Sequence, residues 1–386
     1  MTYRENCTLP EPFLQGLCEH GLEALPQAIT LLLNAAMQAE REKHLGAAPY
    51  ERSPERRDYA NGYKDKTITS RVGELTVSIP QVRNGDFYPS SLEKGLRSER
   101  ALKLAVAEMY VQGVSTRRVA AVVEKLCGAQ ISSTTVSRAA AELDGVLELW
   151  RNRSLCSFPY VYLDARYESV RQNGKVEDAA VLIAVGVDES GKRQVLGVSV
   201  AISEHEVHWR EFLQSLQRRG LTGVQLIVSD DHSGLKAARK AVFGGVPWQR
   251  CQFHLQQNAS AYVTKQEMKP VVAADIRAIF NASDRDEADR LLKRAAEKYQ
   301  TSMPRLSNWM EAALPAGLTI FSFPERHRRL LRTTNGVERV NKEIKRRTRV
   351  AGLFPNEASC LRLVSAILME ISEDWQTGKC YLTFDT

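Results

Sequence analysis

The sequence predicts an α/β protein whose sheet domain is broken by a helical stretch and preceded by a mainly helical region. Three observations predict it. Residues 158–251 alternate strand and helix signals: FPYVYLD, then DAAVLIAVGV and RQVLGVSVAIS around a DESGK turn, an amphipathic helix, and the apolar run GVQLIVSDD. Residues 96–143 carry three helix-period segments and no strand signal. Residues 275–314 again read as helices alone, between the last strand and a strongly basic segment. Three antiparallel-looking strands, a crossover helix and a fourth strand make a ribonuclease H-like order. The expected layout is therefore an N-terminal helical region with a small β element at 1–95 and a helix-turn-helix DNA-binding domain at 96–150. A ribonuclease H-like catalytic domain follows at 151–250 and 322–386, with an all-α insertion at 251–321.

Composition excludes several classes. With 386 residues, 43% hydrophobic and 26% charged, the chain has the make-up of a soluble globular protein of two or three domains. Seven scattered cysteines with no Cys-x-x-Cys argue against a disulfide framework and for a reducing cytoplasm. The first residues lack a signal pattern, and no apolar run is long enough for a membrane span. The formal net charge is +7. Residues 326–349, RHRRLLRTTNGVERVNKEIKRRTR, hold ten Lys or Arg against two acids, so the rest of the chain sums to about −1. Like charges four residues apart on a helix repel, and collecting them is favourable only if a polyanion neutralises them. Nucleic acid is the expected partner.

In chain order, residues 14–45 read as a helix broken near Gly21 and Pro26, with Leu31, Leu32, Ala35, Ala36 and Ala39 as an apolar stripe for docking on a neighbour or partner subunit. Residues 50–66 read as a loop rich in Arg, Lys and Tyr, and 67–82 as two short strands around Gly73. ERALKLAVAEMYVQG is an amphipathic helix stopped by Gly113. Ser115 caps a second helix, which Gly128 stops, and Ser132 or Ser133 opens a third. Two helices of this length joined by a short Gly-containing turn form a helix-turn-helix pattern. Its second helix would present Ser133, Thr134, Ser137 and Arg138 to the major groove. A plain three-helix packing unit is the competing reading.

Two apolar strands each run into an acid, Asp164 and Asp230, which puts carboxylates at one sheet edge, where sites form in open α/β sheets. The basic segment reads as a helix from Gly336, with Asn335-Gly336 as its entry turn. Glu338, Lys342 and Lys345 then share one row. A carboxylate heading a cationic stripe suits a metal ligand whose neighbours, Lys342, Lys345 and Arg346, hold phosphates. Asp164, Asp230 and Glu338 could together hold two hard divalent cations, Mg²⁺ or Mn²⁺, through oxygen ligands. Two-metal sites of this kind act on phosphodiesters without a covalent protein nucleophile.

YLDARYESVR, VSDDHSGL, WQRCQFHLQQN and RTTNGVERVNKEIKRRTRVAGLFPNEAS resemble the mutator-type transposases of bacterial insertion sequences. NGYKDK, RSERAL and EMYVQGVSTRRV extend the resemblance over nearly the whole chain. It implies a DDE transposase that binds double-stranded DNA, both the terminal inverted repeats of its element and a target. It also implies a homo-oligomer of at least two subunits, in the bacterial cytoplasm and associated with the nucleoid. The family's two Asp and its Glu fall on Asp164, Asp230 and Glu338, a following basic residue on Lys345, and its Cys-x-x-His on Cys251 and His254.

The chain departs from the pattern twice: Asp231 stands where a small residue is usual, and Gln257 where a basic residue precedes Asn258. Asp230 is preferred to Asp231 because it continues the strand. Cys251 and His254 are expected as accessory active-site residues, Cys251 packed as a small apolar group and His254 reaching a DNA phosphate. They are not expected to form a structural zinc site, because such a site needs four ligands and the other close pair, His205 and His208, lies far earlier. Two further readings compete: a transposase-derived DNA-binding protein without cleavage, and a ribonuclease acting on RNA–DNA hybrids.

Overall fold

The computed structural model describes residues 11–84, 87–92, 94 and 98–384; Cys7 and the expected boundary at 95–96 lie outside them. The chain divides into two compact units, Met1–Glu142 and Leu143–Thr386.

In the first unit, α1 (Glu11–His20) and α2 (Leu25–Leu45) flank a 3₁₀ turn, and Gly46 ends α2 in the left-handed conformation. β1 (Ala60–Ser70) and β2 (Gly73–Val82) form an antiparallel hairpin in which Tyr63 pairs with Pro80 and Ile68 with Leu75. The strands are longer than expected. Residues 60–65, read as loop, are exposed and therefore polar, so they carry no apolar alternation although they pair with β2. On α2, Leu31, Leu32, Ala35, Ala36 and Ala39 are exposed within the single chain. Met37 instead packs on Ile68, Val77 and Ile79 of the hairpin. The buried row includes Arg41, whose guanidinium donates to the Gly62 carbonyl at 3.3 Å and the Tyr63 hydroxyl at 2.9 Å. A long Arg can fill that row because its stem packs while its head bonds, which hydrophobicity alone does not reveal.

α3 (Arg100–Val111), α4 (Thr116–Cys127) and α5 (Ser133–Ala141) enclose a small core of Leu102, Val106, Val119, Val123, Val136 and Ala139. Their ends follow from local chemistry. Ser115 accepts the Arg118 N–H, Ser132 accepts the Thr135 N–H, and Gly128 takes the left-handed conformation that stops α4.

The second unit opens with α6 (Asp144–Arg151), followed by β3 (Tyr160–Gln172), β4 (Lys175–Val187), β5 (Arg193–Ala201), α7 (Glu206–Arg218), β6 (Leu226–Ser229), α8 (Ser233–Val242) and β7 (Trp248–Arg250). The sheet order is β5-β4-β3-β6-β7, with β3, β4 and β5 antiparallel and β6 and β7 parallel to β3. This mixed α/β domain is consistent with a ribonuclease H-like fold. On one face Leu163, Leu182 and Leu196 pack against Trp209, Phe212, Leu213 and Leu216 of α7 and Leu235 of α8. α15 (Glu357–Thr377) packs against β5 and β3. Cover on both faces explains why the middle of β4 reads as a continuous apolar run.

From Gln252 to Ser322 the chain makes only helices: α9 (Gln252–Ala259), α10 (Lys269–Phe280), α11 (Arg285–Gln300) and α12 (Pro304–Ala313), with 3₁₀ turns between and after them. α13 (Glu325–Leu331) and α14 (Asn335–Thr348) then split the basic segment. Asn335 and Gly336 form the first turn of α14 rather than a turn before it.

Candidate active site

Strand register decides where the acids fall. β3 and β6 pair as Tyr160↔Leu226, Val161↔Ile227 and Tyr162↔Val228, so two steps further Asp164 and Asp230 stand level. β3 does not end at Asp164 but runs to Gln172, still paired with β4. Asp164 marks the point where its parallel neighbour stops. Next to β6, Ser229 pairs with Arg250, and the Cys251 N–H donates to the Ser229 carbonyl at 2.8 Å. That bond sets the head of α9, and so His254, at the same sheet edge.

α14 is latched to this edge. The Gln252 N–H donates to the Arg332 carbonyl at 2.9 Å, and the Thr334 N–H and hydroxyl donate to Cys251 Sγ at 3.5 and 3.4 Å. Glu338 follows Thr334 by one helical turn. Cys251 Sγ, a ring nitrogen of His254 and a carboxylate oxygen of Glu338 lie within 4.8 Å of one another, close enough to hold a metal ion. Glu338 Oε1 is buried and has no hydrogen-bond partner among the described residues.

The electrostatics are those of crowded acids. Asp164 is 8% exposed. Burial first, and the Asp230 charge next, push its carboxyl from 3.8 up to about 7; Glu338 adds to the rise while the Ala165 N–H and His254 oppose it. His254 moves from 6.5 to about 9, chiefly through the neighbouring Cys251 thiol, opposed by burial and aided by Asp230 and Asp164. It is therefore an imidazolium at neutral pH. Burial raises the Cys251 thiol, but the neighbouring His254 and the hydrogen bonds from Thr334 outweigh it and leave the pKa lowered.

The two neighbouring aspartates differ in their partners. Asp231 is ion-paired with Lys236 at 3.0 Å and Arg250 at 2.9 Å. Asp230 accepts a 3.4 Å hydrogen bond from the His232 N–H and, among the described residues, has no ion pair.

Three participants escaped the sequence reading. Asn341 donates to Asp164 Oδ2 at 2.9 Å, and it lies three residues after Glu338, a spacing that shares a helix face and could have flagged it. Thr334, the residue before α14, holds Cys251; a Thr at a helix start was the available signal. Glu204 is buried, lies 3.2 Å from His232, and has its carboxyl raised first by burial, an effect that His232 opposes and the Asp230 charge reinforces. Nothing in the sequence marks it.

The cationic stripe is less uniform than its composition. Lys342 and Lys345 are exposed, and Arg346 is exposed but held bidentately by Glu343 at 2.7 and 2.9 Å. Arg347 is buried and paired with Glu370 and Glu343. Ser133, Thr134, Ser137 and Arg138 are exposed on α5, in the first unit.

The first turn of α8, just after Asp230, depends on a close approach. A Cβ at Gly234 would sit 2.1 Å from the Glu204 carbonyl oxygen and 2.9 Å from the Glu206 nitrogen, both backbone. We expect Gly234→Ala to cost about 1–3 kcal/mol by overpacking, read by urea unfolding. Unchanged stability would show that the turn has slack.

The chain is similar to known proteins over almost its whole length. The profile described as "Transposase, Mutator family" matches residues 17–378. A transposase for insertion sequence element IS406 from Burkholderia multivorans is 60% identical, covering 96% of both chains. One for ISRM5 from Rhizobium meliloti is 43% identical, over 94% of this chain and 91% of the relative. One for IS256 in transposon Tn4001 from Staphylococcus aureus is 33% identical over 98% of both. With a family profile spanning nearly the whole chain and relatives similar from end to end, the chain belongs to the Mutator family of insertion-sequence transposases.

Proposed function

We propose that this chain is an active transposase that binds the terminal inverted repeats of its own element and catalyses cleavage and transfer of DNA strands at a divalent-cation site of Asp164, Asp230 and Glu338. The observation that carries this reading is the burial of Asp164, whose carboxyl is pushed up first by that burial, then by the Asp230 charge and more weakly by that of Glu338. Acids so placed repel one another unless a cation joins them. Their all-oxygen donor set suits Mg²⁺ or Mn²⁺. When bound, two such ions supply Lewis-acid stabilisation to the attacking and leaving oxygens of an in-line displacement.

The chain's own groups do the rest. Asn341 holds Asp164 through its amide and fixes the carboxylate's orientation. His254, charged at neutral pH, donates a hydrogen bond to a phosphate oxygen of the bound strand. Lys342 and Lys345 neutralise backbone phosphates, and Arg346 does so only by giving up Glu343. In the first unit α4 and α5 serve as a helix-turn-helix, with Ser133, Thr134, Ser137 and Arg138 facing the major groove. Pairing two element ends calls for at least two subunits, and the substrate places the work in the cytoplasm, at the nucleoid. No helix of the described residues is long and apolar enough to cross a membrane.

The test is incubation with labelled duplexes in Mg²⁺. Nicks at the element boundary and joined products are expected with the end duplex, and none with random duplex or an RNA–DNA hybrid. Preferential cutting of the hybrid would overturn the reading. Arg138→Ala should weaken end-duplex binding by about 1–3 kcal/mol more than random-duplex binding. Lys342→Ala should weaken both alike and flatten the salt dependence. Equal losses for Arg138→Ala on both duplexes would reduce α5 to packing or backbone contact.

A further inference from the structure

We propose that Cys251, His254 and Glu338 form a second metal site of different chemistry, one that takes Zn²⁺ and in doing so withdraws Glu338 from the hard-cation site. The inhibitory half of this proposal rests on the catalytic role given to Glu338 above; the binding half does not.

The donors are already gathered: one sulfur, one imidazole nitrogen and one carboxylate oxygen, mutually within 4.8 Å. A tetrahedral zinc with bonds of 2.0–2.3 Å holds its ligands roughly 3.5 Å apart, so side-chain adjustments of about one ångström close the site. Thiolate and imidazole select zinc-like ions, whereas Mg²⁺ prefers oxygen. The same three groups that make a poor magnesium site therefore make a good zinc one.

Their support is also in place. Thr334 donates its N–H and hydroxyl to Cys251 Sγ, an outer set of hydrogen bonds that favours the thiolate and fixes its direction. His254 Nδ1 and Glu338 Oε1 are both buried and have no hydrogen-bond partner among the described residues. The backbone ties Cys251 to Ser229 and Gln252 to Arg332, so the ligands from α9 and α14 are held together without metal. Three protein ligands leave a fourth position open, unlike a closed structural site. Metal here should regulate rather than fold the chain.

Cobalt reports the site directly. The metal-stripped full-length chain, titrated with Co²⁺, should develop a thiolate-to-cobalt absorption in the near ultraviolet that saturates at one ion per chain and is erased by Zn²⁺. Asp164→Asn should keep the band and Cys251→Ser should lose it. His254→Ala, which retains the thiol, should weaken Co²⁺ affinity about tenfold or more, so a poorly folded Cys251→Ser does not leave the question open. Zn²⁺ should inhibit Mg²⁺-supported nicking of the end duplex, and Cys251→Ser should raise the inhibitory concentration about tenfold or more, each variant measured against its own zinc-free rate. A wild-type chain without the band at saturating Co²⁺, or a band that survives Cys251→Ser, overturns the site. Zinc inhibition equal in wild type and Cys251→Ser overturns its inhibitory role. A wild-type band with no nicking in any metal leaves the zinc site standing and removes the catalytic reading instead.

Discussion

Replacing Glu338 by Gln is expected to abolish strand cleavage and transfer while leaving fold and end binding close to wild type. The amide keeps the shape of the side chain but removes the charge a divalent cation needs. Val337, Val340 and Ile344 of α14 are buried and do not depend on the carboxylate, and among the described residues Glu338 Oε1 makes no hydrogen bond that would be lost. Loss of a ligand to a catalytic ion should lower the rate by at least about a hundredfold, a barrier increase of roughly 2.7 kcal/mol. Asp164→Asn and Asp230→Asn should behave alike. Asp231→Asn should remain active, because Lys236 and Arg250 already occupy that carboxylate. Residual nicking above a few per cent in Glu338→Gln, or an inactive Asp231→Asn beside an active Asp230→Asn, would reverse these assignments.

The second large effect has the opposite sign to most active-site substitutions: Asp164→Asn should stabilise the metal-stripped protein at neutral and higher pH. Burial and the Asp230 charge raise the folded-state pKa of Asp164 from 3.8 to about 7. Below about pH 4 the carboxyl is protonated in folded and unfolded chains alike and contributes nothing. Between pH 4 and 7 the unfolded chain ionises while the folded one resists, so stability falls as pH rises; above 7 the full penalty stands. Its size is on the order of a few kcal/mol. The melting temperature of Asp164→Asn should therefore exceed wild type by several degrees at pH 8 and match it near pH 4. Adding Mg²⁺ should raise the wild type and leave the variant nearly unmoved. A variant that melts below wild type at pH 8 by the same margin as at pH 4 would show that Asp164 is not crowded.

Much of this arrangement is legible in the sequence, for reasons that can be named. The central strands are covered on both faces, so β4 and β6 announce themselves as unbroken apolar runs. Ser115, Ser132 and Gly128 mark helix ends because their side chains, or the lack of one, satisfy the terminal backbone. The acids at 164, 230 and 338 stand out because each follows an apolar run or heads a basic one. What stayed hidden depends on distant residues. Arg347 reads as one more cation of a stripe, yet Glu370 on α15 buries it in an ion pair. Asn341 and Glu204 are ordinary polar residues until the packing of α14 and the segment after β5 brings them to Asp164 and Asp230. The Cys251–His254 pair lacked a third donor by sequence spacing, and Glu338 supplies it from 84 residues away.

The central claim is that Asp164, Asp230 and Glu338 act as one cation site. It is tested most directly by counting Mn²⁺ bound per chain on the end duplex, from the loss of the free ion's paramagnetic resonance signal. The account predicts two ions for wild type and at most one for Asp164→Asn, Asp230→Asn or Glu338→Gln, with Asp231→Asn like wild type. The same count in wild type and in all three carboxylate variants would contradict it.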